Sequence, residues 1–92
     1  MTETTILDFK LSNSFNEYRI QMNTPEQQTM FKEIGVQTIY MGVCKDDPQR
    51  ATVIFQGPEN VLYDIFINPN SKPIVEASGH IYDGTVITRW HD

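Results

Sequence analysis

"VQTIYMGVCKDDPQRATVIFQ" (residues 36–56) decides the fold. Two runs in it, Val36–Cys44 and Arg50–Gln56, are rich in β-branched and aromatic residues and read as strands. The segment between them, "KDDPQ", is turn chemistry. Pro48 fixes φ, and Asp46 and Asp47 can accept hydrogen bonds from nearby backbone. The stretch is therefore an antiparallel hairpin, and what flanks it sets the topology.

Upstream, "TTILDFKL" (residues 4–11) reads as a first strand with Leu7, Phe9 and Leu11 on one face. "SNSFNEYRIQM" (residues 12–22) then changes period. Ser14 followed by Glu17 is a capping box, and Phe15, Tyr18 and Met22 recur at helical spacing. Thr24, Pro25 and Gln27 restart the helix, and Met30, Phe31 and Ile34 continue its apolar stripe. Gly35 suits a left-handed stop. The spacing predicts one helix in two segments, broken near Asn23–Pro25.

Downstream, "GPENVLYDIFINP" (residues 57–69) predicts a second helix starting at Pro58 and Glu59, with Val61, Leu62, Ile65 and Phe66 on one face. "SKPIVEASG" (residues 71–79) adds a short turn of helix ending at Gly79, and "GTVITRW" (residues 84–90) is a last strand. The order is β-α-β-β-α-β. Right-handed crossovers give an antiparallel sheet ordered 4-1-3-2 with both helices on one face, a ferredoxin-like α+β plait. At 92 residues the chain reads as a single domain over residues 1–92. A chain this short buries only about 60–65% of its unfolded surface, so association with a second subunit would add to a modest core.

Sorting the strands by face gives one apolar side: Leu7, Phe9 and Leu11; Ile39, Met41 and Val43; Ala51, Val53 and Phe55; Val86 and Trp90. The other side mixes Ile6, Tyr40, Ile54 and Ile87 with Asp8, Thr38, Thr52 and Arg89. It is too polar for a dry core and too apolar to face water. Two such faces meeting across a two-fold axis satisfy both requirements, so the pattern predicts a homodimer. Ile6, Asp8, Tyr40, Ile54 and Arg89 are its expected interface residues. Asp8 and Arg89, on neighbouring strands, read either as an anion clamp or as an ion pair fixing dimer register.

With "F..Y...M.TPEQQTMFKEIGV" (residues 15–36), "VIFQGPENV" (residues 53–61) and "ASG" (residues 77–79), the chain resembles the dimeric α/β-barrel superfamily. Within it, the chain looks closest to an uncharacterised, mainly cyanobacterial branch. The resemblance implies a dimer of ferredoxin-like plaits. Its members include cofactorless quinone-type monooxygenases, haem-degrading enzymes, small-ring isomerases and ligand-binding domains, so it implies fold more strongly than reaction.

Several function classes are excluded. Net charge is −5, and the seven basic residues form no run, so neither nucleic acid nor an anionic membrane surface is an expected partner. "RATVIFQG" lacks the spaced aromatics of an RNA-recognition strand. One cysteine, Cys44, forms no internal disulfide, and "MTETTILDF" has no signal-peptide pattern; the expected location is the cytoplasm.

His80, just after Gly79, is the candidate acid or base, because imidazole titrates near neutrality. The alternative is a histidine that serves only the turn. Tyr18, Tyr82 and Trp90 are the candidate ligand-binding residues, around a pocket between sheet and helices. Cys44 would sit on the edge strand opposite the last strand, too far from His80 to act with it as a nucleophile pair. His80 and His91 with Asp83 or Asp92 match no metal-site spacing, and neither metal nor cofactor is expected. The residues support a homodimeric small-molecule-binding or interaction protein. The alternative is a small cofactor-independent enzyme, monooxygenase-like or isomerase-like, acting on a small hydrophobic or aromatic substrate.

Overall fold

The computed structural model describes residues 2–91. The strands are β1 (Thr2–Lys10), β2 (Gln37–Cys44), β3 (Asp47–Pro58) and β4 (Val86–Trp90). The helices are α1 (Phe15–Met22), α2 (Pro25–Glu33), α3 (Val61–Ile67) and α4 (Lys72–Glu76), with a 3-10 turn at Pro69–Ser71 before α4. The sheet order is β2-β3-β1-β4, and each neighbouring pair is antiparallel. This is the expected α+β ferredoxin-like plait.

Local chemistry accounts for the breaks. Ser14 caps α1 by accepting from the Glu17 backbone N–H at 3.1 Å, and Thr24 caps α2 by accepting from that of Gln27 at 3.4 Å. The helix therefore divides at Asn23–Thr24, as its two capping signals require. Gly35 ends the α2 turn at φ 75°, a left-handed conformation that glycine adopts without a side-chain clash.

The core lies between the sheet and the helices. Leu7, Phe9, Leu11, Ala51, Val53 and Phe55 supply its floor, and Tyr18 and Leu62 descend onto it from α1 and α3. Burying a large apolar side chain contributes about 1.5–3 kcal/mol, so this layer is the main source of stability.

Four expectations are corrected. First, β4 is phased one residue away from the expected face. Ile87 pairs with Leu7 and Arg89 with Thr5, on the helix side; Val86 pairs with Asp8 and Trp90 with Thr4, on the open side. Val86 and Trp90 are accordingly 58% and 57% exposed, while Ile87 packs against the core. Second, Thr38 opposes Phe55 but Tyr40 opposes Ile54, so Ile39 is the extra residue of a bulge and is exposed rather than in the core. Third, α3 starts at Val61, not at Pro58. Asn60 takes φ 69° before it, its N–H bonded to the Glu3 carboxylate at 3.2 Å. Asparagine tolerates that region better than most residues. Fourth, the hairpin turn is only Lys45–Asp46, because β3 begins at Asp47. The Asp47 carboxylate accepts from the Gln49 N–H at 3.0 Å and meets the Lys10 ammonium at 2.6 Å, which anchors the start of β3 to β1.

Candidate functional site

Between helices and sheet the packing leaves a cavity of about 70 Å³. Leu7 and Phe55 of the sheet form its floor. Tyr18 and Met22 come from α1, Met30 and Phe31 from α2, Leu62, Ile65 and Phe66 from α3, and Ile74 and Val75 from α4. Among the described residues its polar lining is Tyr18, Gln27, Ser78 and His80. Met30 and Ile74 are exposed as well as cavity-lining, so they mark its mouth.

His80 is held at this cavity by an antiparallel bridge just beyond the end of β1. Leu11 bridges to His80; the Ser12 N–H donates to the Gly79 carbonyl at 2.8 Å, and the Ile81 N–H to the Lys10 carbonyl at 2.9 Å. Gly79 permits the approach. Its φ is 99°, and a Cβ there would meet the Asn13 side-chain amide. The imidazole is 2% exposed and lies flat on Phe9, ring centroids 3.7 Å apart at 4°, with Phe66 at 5.4 Å. Burial pushes its pKa down from 6.5 to about 4, so it is neutral at pH 7.

The Thr85 hydroxyl sets the tautomer of that neutral ring. Thr85 Oγ1 lies 2.7 Å from His80 Nε2, 2.8 Å from the Tyr82 carbonyl and 3.2 Å from that of Ile81. We assign its single proton to the carbonyls, which makes it the acceptor for Nε2–H. Nδ1 is then the unprotonated nitrogen. Tyr18, 1% exposed, is the second buried polar group, and burial alone pushes its hydroxyl well above the usual phenol range.

The other expected site residues are placed elsewhere. Tyr82 does not line the cavity; its hydroxyl donates to the Phe66 carbonyl at 2.6 Å and so satisfies one of the unpaired carbonyls ending α3. Trp90 lies on the open face with its indole N–H donated to Thr88 at 3.0 Å, so it is not a cavity residue. Arg89 lies on the helix side, not among the open-face residues. It donates to Asn60 Oδ1 at 2.8 Å and stacks over Tyr63 at 3.9 Å. Asp8 therefore pairs with Arg50, at 2.8 and 2.5 Å, and the Arg50 hydrogen bonds hold its carboxyl below the usual range. Ile6, Asp8, Tyr40 and Ile54 do share the open face. Cys44 is on the edge strand opposite β4, as expected. Asp92 lies outside the described residues, and among the described residues no group of three or more His, Cys, Asp or Glu could hold a metal ion. No described helix is long and apolar enough to cross a membrane.

Sequence reasoning missed Thr85 and Ser78. The signal was there in part: "GTVITRW" carries a threonine five residues after His80, but only the excursion at residues 82–85 folds it back onto the ring.

A family model described as "Domain of unknown function (DUF3764)" matches residues 2–92. The chain belongs to this family. No curated protein matches it significantly. Among solved structures, the family's fold as seen here is similar to SnoaB, a cofactor-independent oxygenase from Streptomyces nogalater. The match has a TM-score of 0.63 at 10% identity and covers 99% of this chain and 92% of that one. It is also similar to a dimeric ferredoxin-like protein from an uncultured marine organism, with TM-score 0.52, 8% identity and coverage of 96% and 84%. At such identities the likeness shows the fold.

Proposed function

We propose that this protein is a cytoplasmic, single-domain homodimer that binds a small hydrophobic molecule in the cavity beneath its helices. The observation that carries the reading is the cavity itself: an apolar space into which two almost fully buried polar side chains, Tyr18 and His80, are built. Ligand sites are apolar spaces with a few placed polar groups. The space is smaller than a drug-sized site of roughly 300–1,000 Å³, so a ligand enters by displacing the flexible Met22 and Met30 and the exposed Ile74. The resemblance to a mainly cyanobacterial branch of dimeric α/β barrels belongs to the same reading.

The dimer rests on the open face of the sheet. Tyr40, Ile54, Ile6 and Thr88 are successive cross-strand neighbours there, and Val86 and Trp90 flank Thr88. Tyr40, Val86 and Trp90 are each more than half exposed. A second copy meeting this band about a two-fold axis removes it from water. That the ferredoxin-like neighbour is dimeric supports a dimer.

Ligand binding is tested by denaturation with and without toluene. Saturating toluene should raise the unfolding free energy of the wild type, by about 2.7 kcal/mol at a hundred times its dissociation constant. Met30→Trp, which fills the mouth, should lose that increment. No shift in the wild type with either toluene or phenol would end the reading.

A second reading is favoured by the neutral, cavity-lining His80 together with the full-length likeness to a cofactor-independent oxygenase. In it the protein is a cofactor-free enzyme on a small aromatic substrate, with His80 Nδ1 as proton acceptor. His80→Phe should then abolish turnover of any substrate found, and unchanged turnover would remove the assignment. A Soret or flavin absorption band in the purified protein would exclude the cofactor-free form.

A further inference from the structure

The polar atoms of the cavity are not chemically neutral in their choice of partner. The Thr85 bond fixes the His80 proton on Nε2, leaving Nδ1 an acceptor. The Ser78 hydroxyl donates to the Val75 carbonyl at 2.8 Å, so its oxygen too is left as an acceptor. Among the described residues, Asn13 Oδ1 is the enclosed side-chain polar atom lacking a partner. His80 lines the cavity, and the hydrogen bond its ring makes is the one at Nε2. Tyr18 and Gln27 can donate or accept. Among the described residues, none that lines it is Lys, Arg, Asp or Glu.

We infer that the cavity selects a neutral, apolar ligand bearing one hydrogen-bond donor, an alcohol or phenol, and rejects the corresponding carboxylate. The inference rests on the ligand-binding reading above and names its ligand class. A hydroxyl entering the cavity can donate to His80 Nδ1 or to Ser78 Oγ, each of which has an acceptor site left open. A carboxylate meets the same two acceptors with no cation to balance it, and an unpaired charge in an apolar space is strongly unfavourable. A ligand with no polar group leaves Nδ1 dry and unpaired.

Phenol, toluene and benzoate, similar in size, are the probes. Titration calorimetry on the wild type and on His80→Phe separates the hydrogen bond from general apolarity. Phenylalanine keeps the stack between Phe9 and Phe66 and removes the acceptor. The affinity ratio of phenol to toluene should fall about threefold to tenfold in His80→Phe, the span of one neutral hydrogen bond. Benzoate should bind neither protein. An unchanged ratio, or benzoate binding as well as phenol, overturns the inference while leaving the cavity a ligand site. Failure of both phenol and toluene to bind overturns the ligand reading itself. Ring nitrogen NMR of the ligand-free wild type gives an independent check that needs no variant to fold. His80 should show a protonated Nε2 and a bare Nδ1 at pH 7; the opposite tautomer, or an imidazolium, overturns the inference.

Discussion

Acidification should destabilise this protein through His80 before the ion-paired carboxyl of Asp8 is protonated. The native imidazole holds its proton only below about pH 4, whereas in the unfolded chain it takes one near 6.5. As the pH falls below 6.5 the unfolded state binds the extra proton and the native state does not, so stability falls. The loss runs from pH 6.5 to about 4 and then levels off, because below that both states are protonated. At 1.36 kcal/mol per pH unit, the gap amounts to about 3 kcal/mol. A chain of 92 residues has about 5–14 kcal/mol in total, so the effect is large. Asp8 does not confuse the window. Its carboxyl is held below 3.8 by the Arg50 hydrogen bonds, so its contribution is lost only at lower pH. The assay is urea unfolding at fixed protein concentration across this range, on the wild type and on His80→Phe. The variant loses the Thr85 bond at every pH but has no titration there, so the two curves should converge by about 3 kcal/mol on acidification. Parallel curves would show that His80 is not buried as a neutral ring, and would refute the reasoning about the cavity's polar lining with it.

Other outcomes follow from single contacts. Gly79→Ala should cost about 1–3 kcal/mol or more in thermal or urea unfolding, because its φ of 99° and the Asn13 side chain both resist a Cβ. Tyr82→Phe should cost about 0.5–1.5 kcal/mol by the same assay, through the Phe66 carbonyl, and leave toluene affinity unchanged. Light scattering should give about twice the 10.6 kDa chain mass, and Ile54→Lys, placing a charge mid-face, should return it to one chain with an unchanged circular dichroism spectrum. A wild-type monomer would end the dimer proposal.

Element order and the core were legible because each signal was local. The Ser14 and Thr24 caps, the Gly35 stop and the Leu7-Phe9-Leu11 alternation depend on neighbours within a few residues. β4 was not legible in phase. Its residues Val86, Ile87 and Trp90 put apolar side chains on both faces, so alternation did not decide between them. The decision lies in the excursion at residues 82–85 and in the register that places Ile87 beside Leu7. That one-residue slip moved Trp90 from the expected pocket to the open face and Arg89 the other way. Ile39 was misplaced for a related reason, since a bulge leaves no mark in hydrophobic pattern. Of the residues singled out in the sequence, Tyr18, by helical spacing, and His80, by titration chemistry, both line the cavity. The partner that fixes the His80 tautomer was not singled out, because Thr85 reaches it only through the folded turn.

The central claim, that the cavity beneath the helices is the ligand site, is tested most directly by two-dimensional amide NMR during a phenol titration. The account predicts that the largest shifts fall on Tyr18, Leu62, Ser78 and His80, with the open-face residues Tyr40, Ile54 and Trp90 little changed. Shifts centred on Tyr40 and Trp90, or none at saturating phenol, would contradict it.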